Sequence, residues 1–391
     1  MRYTLRIIFA FILLALVGCE EPNYGTTPDT TIASLGIPAD NEIWFTTSDG
    51  KDLMGIDEEA FNATITDIEY NEFGVNTIRF DAPLTVIGAG AFNAYGASRN
   101  LNNISLPETV ETIGERAFFD CTNLECLTLG TKIKECGSQA FDNCLSLHSL
   151  HISSIGDWCQ IKFANPTANP LNYGGTILIV NGIRATNVII PAWISHIGDY
   201  AFYNYSAMLS VTIPANIESI GKNAFFGCEG ISKVEITDIA AWCAIEFATA
   251  ESNPLSNVKP LYINGQPLTT ISLVDVEAIS NRALYGCSSI TSFKADNSLT
   301  TIGKEALRGC EKLATVELGE GITKIGSTAF MGCRALRSVK CYADNPPTLG
   351  DKYVFDYNDN NRKIYVPSSA IEEYKSAEYW SEYADSIVPL Q

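Results

Sequence analysis

The residues that most often carry enzyme chemistry are few and scattered in this sequence. Its three histidines are His148, His151 and His196, and the first two lie on one predicted strand. Because side chains alternate between the two faces of a strand, His148 and His151 face opposite ways and cannot form one site. The sequence has no zinc-protease, serine-hydrolase or phosphate-loop motif. We therefore expect a protein that is not an enzyme and has no cofactor or metal ion.

Carboxylates are abundant, but none lies in a pattern that marks a catalytic acid and base pair. Asp356 and Asp359 lie among tyrosines and asparagines in a polar loop. Oxygen-rich loops bind calcium in some proteins, but a solvated loop is the interpretation we favour here. The formal net charge of -19 excludes nucleic acid as a partner, because phosphate binding needs clustered lysine and arginine side chains.

Eleven cysteines follow Cys19, and their spacing indicates a role in packing. Tyr95 and Tyr205 take the same position of an internal repeat that six of the cysteines occupy. Regular recurrence favours burial, because a free cysteine behaves as a small hydrophobic residue, and no C-x-x-C pair suggests a metal site. An odd number cannot pair completely, so we expect mostly free thiols, although neighbouring copies could bring thiols within bridging distance. The six are Cys121, Cys144, Cys228, Cys287, Cys310 and Cys333.

The N-terminal residues indicate export. Arg2 and Arg6 precede an apolar run, residues 7–16, and Gly18-Cys19 follows it, an order typical of a secretory signal. The Gly-Cys ending resembles the lipobox of bacterial lipoproteins, which implies lipidation of Cys19 after cleavage. A membrane anchor is the alternative, but the run is shorter than the roughly 20 residues that span a bilayer.

Glu20 and Glu21 resemble the acidic export tags of surface lipoproteins in Bacteroidota. We expect residues 1–18 to be a signal peptide and residues 19–40 a flexible tether rich in Pro, Thr, Asp and Gly. The resemblance implies an exported outer-membrane lipoprotein, held to the membrane by a lipid at Cys19 and exposed at the cell surface.

The elements that position any binding residue come from a repeat with the skeleton I-G-x-x-A-F-x-x-C-x-x-L-x-x-L-x-L. Its aromatic or aliphatic landmark mostly recurs every 23 residues, with two much longer steps. A fixed period predicts a solenoid, in which each coil buries its apolar face against its neighbours. The landmarks are Phe92, Phe118, Phe141, Phe202, Phe225, Leu284, Leu307 and Phe330.

The two long steps contain matching inserts, at about residues 153–190 and 237–274. Each contains a Trp-Cys pair, which begins at Trp158 or Trp242, then an Asn-Pro-Leu triplet and an Asn-Gly dipeptide. Asn-Gly beside an apolar run is a strong hairpin signal. Each insert is therefore predicted to be a short helix, a loop and a hairpin.

Within one coil, the closing L-x-x-L-x-L segment predicts a strand whose alternate residues, such as Leu127 and Leu129, point inward. Stacked coils should pair these strands into a parallel sheet and stack Phe118 and its equivalents into a buried spine. Gly114 and its equivalents fall at a tight turn, where we expect a positive φ, and Ser280 is the exception to the pattern. The predicted fold class is a strand-rich α/β repeat solenoid.

Atypical segments at residues 41–86 and 342–391 are expected to cap the solenoid, because an uncapped end coil would expose its apolar face. Ile43 to Thr47, Thr77 to Phe80 and Lys363 to Pro367 are predicted strands. A helix is predicted to start near Ala370, with Ser368 and Ser369 able to cap it.

The repeat pattern over residues 87–341 resembles the BspA-type leucine-rich repeats of bacterial surface proteins. The two inserts and the closing segment from Ile364 to Ser381 look like regular parts of that family in Bacteroidota. The resemblance implies a right-handed leucine-rich-repeat solenoid, exposure at the cell surface, and adhesion or host-protein binding. It implies no particular ligand, because the exposed face varies among members.

Two surfaces compete as the binding site. One comprises the inserts, with Tyr173 and Tyr262, although Trp158 and Trp242 are expected to form the inserts' own core. We expect a non-enzymatic surface protein that binds an unidentified protein or glycan, and the alternative is a structural spacer or assembly component without a diffusible ligand. The other surface is the outward strand face, small, polar and of mixed charge: Thr128, Ser149, His151, Ser210, Thr212, Lys233, Glu235, Ser292, Lys294, Thr315, Glu317, Ser338 and Lys340, with Asn103, Ser105 and Cys126 in the first copies.

Overall fold

Short strands dominate the computed structural model of this chain. It describes residues 37–71, 74–93, 100–257 and 259–390, so Cys19, the predicted signal peptide and most of the predicted tether lie outside the described residues. The helices are α1 (Ile155–Cys159), α2 (Ile239–Ala244) and α3 (Ile371–Ser376), and short 3₁₀ segments cover Glu58–Ala60, Pro166–Ala168, Ala250–Ser252 and Trp380–Ser386. Within the described ranges, none of these helices combines the length and apolar character that crossing a bilayer requires.

The strands follow one another along the chain with few interruptions. The first part contains β1 (Glu42–Thr47), β2 (Ile65–Glu69), β3 (Asn76–Phe80), β4 (Val86–Ile87), β5 (Leu101–Ser105), β6 (Thr112–Ile113), β7 (Cys126–Thr128), β8 (Glu135–Cys136), β9 (Ser149–Ile152), β10 (Lys162–Phe163), β11 (Ile177–Val180) and β12 (Ile183–Arg184). The middle part contains β13 (Asn187–Ile189), β14 (His196–Ile197), β15 (Ser210–Ile213), β16 (Ser219–Ile220), β17 (Lys233–Ile236), β18 (Glu246–Phe247), β19 (Leu261–Ile263) and β20 (Gln266–Pro267). The last part contains β21 (Thr270–Leu273), β22 (Ala278–Ile279), β23 (Ser292–Ala295), β24 (Thr301–Ile302), β25 (Thr315–Leu318), β26 (Lys324–Ile325), β27 (Ser338–Cys341), β28 (Thr348–Leu349), β29 (Lys363–Val366) and β30 (Ile387–Pro389).

Successive coils pair their strands in parallel, which confirms the predicted strand-rich repeat solenoid. The longer strands form sheets in the orders β12-β11-β9-β7-β5-β1-β3-β2, β13-β15-β17-β19-β20 and β21-β23-β25-β27-β29-β30. The two-residue strands form a second series, β10-β8-β6-β4, β14-β16-β18 and β22-β24-β26-β28. The register keeps equivalent residues side by side, with Leu127 opposite Leu150 and Val316 opposite Val339.

The inserts divide the predicted parallel ladder into three sheets. Each insert has the predicted helix and hairpin, but the first strand of the hairpin pairs in parallel with the preceding coil, as Leu178 does with Leu150. The second strand runs antiparallel and ends the sheet. Asn181 and Gly182 both have positive φ, 50° and 80°, the backbone that an Asn-Gly hairpin turn requires. The inserts are therefore modified coils rather than additions beside the solenoid.

The expected positive φ at Gly114 is also wrong. The left-handed residue lies two positions later, at Arg116, whose φ is 54°. Glycine is required for a different reason, because a Cβ at Gly114 would lie 2.6 Å from the carbonyl carbon of Gly88 and from the nitrogen of Ala89. The turns of neighbouring coils stack backbone on backbone at this position, which leaves no room for a side chain.

Ser280 is tolerated at this position because a different segment lies beneath it. The preceding coil contributes α2 there, and the amide of Ser280 donates to the Cys243 carbonyl at 2.7 Å. The Ser280 hydroxyl donates to the Ala244 carbonyl at 3.0 Å. The exception to the pattern therefore lies in the coil that follows the second insert.

The predicted aromatic spine is confirmed. Phe118 stacks between Phe92 and Phe141, with ring centroids 5.0 and 5.2 Å away and nearly parallel planes. Each ring is fully buried, which contributes about 2 kcal/mol of apolar transfer energy. The eleven cysteines of the described residues are buried thiols outside any disulfide, as predicted, and Cys144 donates its S–H to the Phe118 carbonyl at 3.2 Å.

Both ends are covered by non-repeat elements. The predicted strands at Ile43 and Thr77 are confirmed, and β1 pairs antiparallel with β5, so it covers the first coil. At the other end, β29 is confirmed, but the serine cap predicted for α3 is wrong. The N-cap residue is Ala370, which makes no side-chain cap bond, because the amide of Ala370 donates to Pro367 in a turn that holds the serines ahead of the helix.

A candidate binding groove on the turn face

The predicted outward strand residues lie on three separate sheets and differ in exposure. Lys294, Thr315 and Lys340 are exposed. The half-buried ones are His151, Ser210, Thr212, Lys233, Glu235, Ser292, Glu317 and Ser338.

Thr128 and Ser149 were expected on the exposed face, and this prediction is wrong, since only 5% and 4% of their surface is accessible. Both have short side chains and lie in central strands. The imidazole of His151 is a larger neighbour, with Nε2 at 2.7 Å from Ser149 Oγ, and it lies beside Thr128 in the register of β7 and β9. Asn103, Ser105 and Cys126 are likewise buried.

Several charges on the outward face are partnered with one another. Lys233 Nζ lies 2.6 Å from Glu235, which also accepts a hydrogen bond from the Gly265 amide. Burial acts to raise the pKa of Glu235, but these two partners outweigh it and lower the pKa. Lys294 lies 3.5 Å from Glu317 in the next strand. This pattern is typical of a solvated sheet face.

The inserts hold neighbouring coils together. Trp158 and Trp242 are buried, as predicted, and their indole N–H groups donate to the carbonyls of Ala201 at 2.8 Å and Ala283 at 2.7 Å. The hydroxyl of Tyr173 donates to Asp142 at 2.7 Å, and burial raises the pKa of Tyr173 to about 12. These aromatic side chains are therefore structural.

The histidines do not form a site. His148 Nδ1 contacts the Ser146 carbonyl, and His151 contacts Ser149. In the part of the chain that the structure describes, no three His, Cys, Asp or Glu side chains are arranged to bind a metal ion. In the polar loop, Asp359 accepts a hydrogen bond from the Asn361 amide.

A groove not expected from the sequence runs across the turns that follow the buried spine. Its floor consists of glycines from successive coils, Gly227, Gly286, Gly309 and Gly332, and we name it the glycine groove. The larger part has a volume of about 640 Å³ and the smaller part about 530 Å³. Ser256 lines both parts, which makes them neighbours along the solenoid.

The backbone of the floor is left-handed, with φ between 72° and 76° at all four positions, a conformation that glycine adopts without strain. Earlier coils place Asp120, Asn143 or Asn204 at this position, also with positive φ. A Cβ at Gly332 would lie 3.7 Å from the Gly309 Cα. The floor is therefore bare backbone at Gly286, Gly309 and Gly332, whereas the Asn204 side chain lies against Gly227.

Larger side chains form the two walls. The residue before each glycine forms one wall, which contains Phe226, Tyr285, Arg308 and Met331. The residue after each cysteine supplies the other wall, which contains Glu229, Glu311 and Arg334. Tyr357, 72% exposed, and Asn360 close one end. The walls of the groove thus combine apolar, aromatic and charged side chains.

Arg308 is held in place by its neighbours. Its Nη1 lies 2.6 Å from Glu305, and its guanidinium lies 5.9 Å from the ring centroid of Tyr285. Glu305 also accepts a hydrogen bond from Arg282 at 2.9 Å. A guanidinium fixed by a carboxylate and an aromatic face presents its remaining N–H groups in one orientation.

The sequence contained a signal for this groove. A glycine precedes the repeat cysteine at Gly227, Gly286, Gly309 and Gly332, but a different residue does so at Asp120 and Asn143. This change from polar residues to glycine marks where the turn face becomes concave.

A second concave region lies between the sheets of short strands, next to the second insert. Its volume is about 740 Å³, and His196, Asp199, Glu246, Phe247 and Ser280 are among its lining residues. The ring of Phe247 is buried, so this region presents mainly backbone and polar groups. The glycine groove, with exposed aromatic groups, is the stronger candidate.

Comparisons with known proteins agree with the solenoid. The family described as BspA type leucine rich repeat region matches the chain in six copies, over residues 56–168, 180–254 and 264–381. No curated protein matches the chain in sequence.

Several solved bacterial structures are similar. A leucine-rich repeat protein from Eubacterium ventriosum ATCC 27560 is 19% identical, with a TM-score of 0.40, and the match covers 67% of this chain and 64% of that one, less than two thirds of its length. A leucine-rich repeat protein from Bacteroides ovatus ATCC 8483 is 20% identical, with a TM-score of 0.34 and coverage of 91% and 100%. A leucine rich cell surface protein from Faecalibacterium prausnitzii A2-165 is 16% identical, with a TM-score of 0.41 and coverage of 92% and 98%.

Proposed function

Because this chain belongs to the BspA-type leucine-rich-repeat family, we propose that it is a non-enzymatic cell-surface protein whose solenoid binds a protein or glycan ligand. The observation that carries this proposal is the glycine groove. A concave surface lined by aromatic and charged side chains favours binding, since it combines apolar contact with directed hydrogen bonds. The outward strand face, where Lys294 already pairs with Glu317, is a weaker candidate.

The cellular location proposed for the protein is inferred from its N-terminal sequence. Cys19, the proposed lipidation site, lies outside the described residues, so support comes from the Leu16-Val17-Gly18-Cys19 pattern and the apolar run before it. We propose an outer-membrane lipoprotein exposed at the cell surface. Replacement of Cys19 by alanine is expected to release the protein from the membrane fraction, and a membrane-bound Cys19→Ala variant would contradict the lipid anchor.

Binding is tested with the full chain in mild detergent against a panel of host matrix proteins and glycans. We expect saturable binding to at least one member. Complete absence of saturable binding across the panel would overturn the proposed function and favour the alternative, a spacer or assembly component without a diffusible ligand. Protease treatment of intact cells tests exposure, and a chain that stays intact on unbroken cells while lysis makes it sensitive would argue against a surface location.

Point variants are better probes than deletions of the inserts. Each insert contributes a strand to a sheet, β11 in the first and β19 in the second, so deletion would break the solenoid. Single substitutions in the groove walls leave these strands intact.

A further inference from the structure

We propose that the glycine groove binds a linear, uncharged oligosaccharide. This inference rests on the proposed function and names the ligand class of the solenoid. Three properties of the groove support the proposal: the chemistry of its walls, the pairing of its charges and the hydrogen bonding of the backbone amides in its floor.

The walls offer the two kinds of contact that a sugar ring needs. A sugar ring has faces formed largely by C–H groups and an edge of hydroxyl groups. Phe226 is 40% exposed and stacks on Tyr203 with 4.9 Å between ring centroids, and Tyr285 and Tyr357 add two further rings. A flat, polarisable ring packs well against a C–H face. These rings belong to different coils, so they can contact different sugars of one chain.

The polar groups of the walls are mainly planar and able to bind two neighbouring hydroxyl groups at once. Arg308, Arg334, Glu311 and Asn360 line the larger part of the groove. A guanidinium, a carboxylate and an amide each present a pair of parallel donors or acceptors, or one of each. Adjacent hydroxyl groups on a sugar match this geometry.

The charges of the groove point to an uncharged ligand. Arg308 is paired with Glu305 at 2.6 Å, and Arg334 lies 3.5 Å from Glu311. Each arginine of the larger part therefore has a carboxylate partner, and Glu305 is shared with Arg282. Glu229 and Glu251 line the smaller part and add negative charge, so the groove as a whole has no excess of positive charge to attract an anionic ligand. The whole chain carries a formal charge of -19, which repels anionic polysaccharides at a distance. A neutral chain of sugars needs no unpaired arginine for its binding, and the negative charge of the protein does not repel it.

The floor disfavours an extended peptide as the occupant. Peptides commonly bind to such elongated surfaces by adding a strand, which requires a row of free backbone groups. Here the amides of Gly286, Gly309 and Gly332 already donate to carbonyls of the next coil, at 2.8, 2.9 and 2.8 Å. The floor therefore provides a flat surface for packing rather than an edge for pairing.

The test uses calorimetry of the full chain in mild detergent with cellohexaose, xylohexaose, maltohexaose and laminarihexaose. Saturable binding to at least one of these neutral oligosaccharides is expected. Tyr285→Ala should weaken this binding about tenfold or more, and Arg334→Ala, which removes a highly exposed side chain, about fivefold.

The chain offers matched controls. Phe119 occupies the position of Tyr285 in an earlier coil. Arg116 lies 5.1 Å from the Phe119 ring centroid, much as Arg308 lies near Tyr285, but the residue after Phe119 is Asp120 rather than glycine. Phe119→Ala should therefore change the affinity by no more than about twofold. The exposed Arg337, which lies outside the groove, is the matched control for Arg334, and Arg337→Ala should likewise leave the affinity nearly unchanged.

Each result decides between specific alternatives. Oligosaccharide binding that is unaffected by Tyr285→Ala and Arg334→Ala would overturn the assignment of the groove, while the proposed function would stand. Binding to matrix proteins but to none of the oligosaccharides would overturn the ligand class alone. No binding to any probe would overturn both. If Tyr285→Ala does not fold, the comparison of Arg334→Ala with Arg337→Ala decides the assignment.

Discussion

Trp158 in the first insert donates its indole N–H to the carbonyl of Ala201 in the following coil, at 2.8 Å. The same carbonyl accepts a hydrogen bond from the Asn169 amide at 3.2 Å. The second insert repeats the arrangement, with Trp242 donating to Ala283 at 2.7 Å. Because the longer-strand sheet ends at each insert, this buried contact helps to carry the solenoid across the break.

Replacement of Trp158 by phenylalanine should destabilise the fold by about 2–3 kcal/mol, because it removes a buried donor and leaves a cavity. The measurement is the urea concentration at half-unfolding. Trp193 is a matched control, since it is 61% exposed, and Trp193→Phe should cost no more than about 0.5 kcal/mol. Equal effects of the two substitutions would contradict the bridging role of Trp158.

The sequence predicts the spine and the strands well, because a regular spacing acts on every coil alike. Phe118 and Phe141 stack as their spacing of 23 residues indicates. It predicts contacts between different elements poorly. Burial of Ser149 depends on the particular neighbour His151, and no period reveals that. The repeat pattern correctly identifies Gly114 as a position that requires glycine, but it does not give the reason. The reason is the close approach of the Gly88 backbone, which only the folded structure shows.

The candidate site does not follow from the outward strand positions, because it lies on the turns between the strands. Gly286 and Gly309 are part of a change that the sequence shows, from polar residues to glycine, but concavity arises only when the turns stack. The exposed fraction of Tyr285 or Met331 likewise depends on what the coils on either side contribute. Periodicity fixes which residues are inside, whereas surface shape depends on the residues between them.

Gly114→Ala should destabilise the protein by about 2–3 kcal/mol, because the added Cβ would lie 2.6 Å from the backbone of Gly88. Gly198 is the matched control. It occupies the same position after the first insert, where a Cβ would lie 3.0 Å from the carbonyl oxygens of Cys159 and Ile161. Gly198→Ala should stay within about 1 kcal/mol of the parent, partly because alanine restricts the unfolded chain. Denaturant unfolding of both variants checks the difference.

The eleven described cysteines should be unreactive in the folded protein and fully reactive once it unfolds. Each is buried and outside any disulfide, and only the exposed thiolate reacts readily. The measurement is thiol titration at pH about 8 of the full chain carrying Cys19→Ala, before and after unfolding without reductant. Titration of one thiol or none in the unfolded state would show that disulfides link the coils.

Alkaline pH should destabilise the fold through the same thiols. Burial raises the pKa of Cys121, Cys228 and Cys243 to about 12, whereas an unfolded thiol has a pKa of about 8.5. The stabilisation is therefore complete below pH about 8.5 and is lost as pH rises towards 12, since only the unfolded chain releases these protons. Each thiol contributes a slope of about 1.4 kcal/mol per pH unit in that window. Urea unfolding at a series of pH values measures the total slope.

Cys228→Ala should reduce the slope by the share of one thiol, whatever it does to stability at neutral pH, because the slope counts protons rather than contacts. An unchanged slope in that variant would show that Cys228 does not hold its proton in the fold.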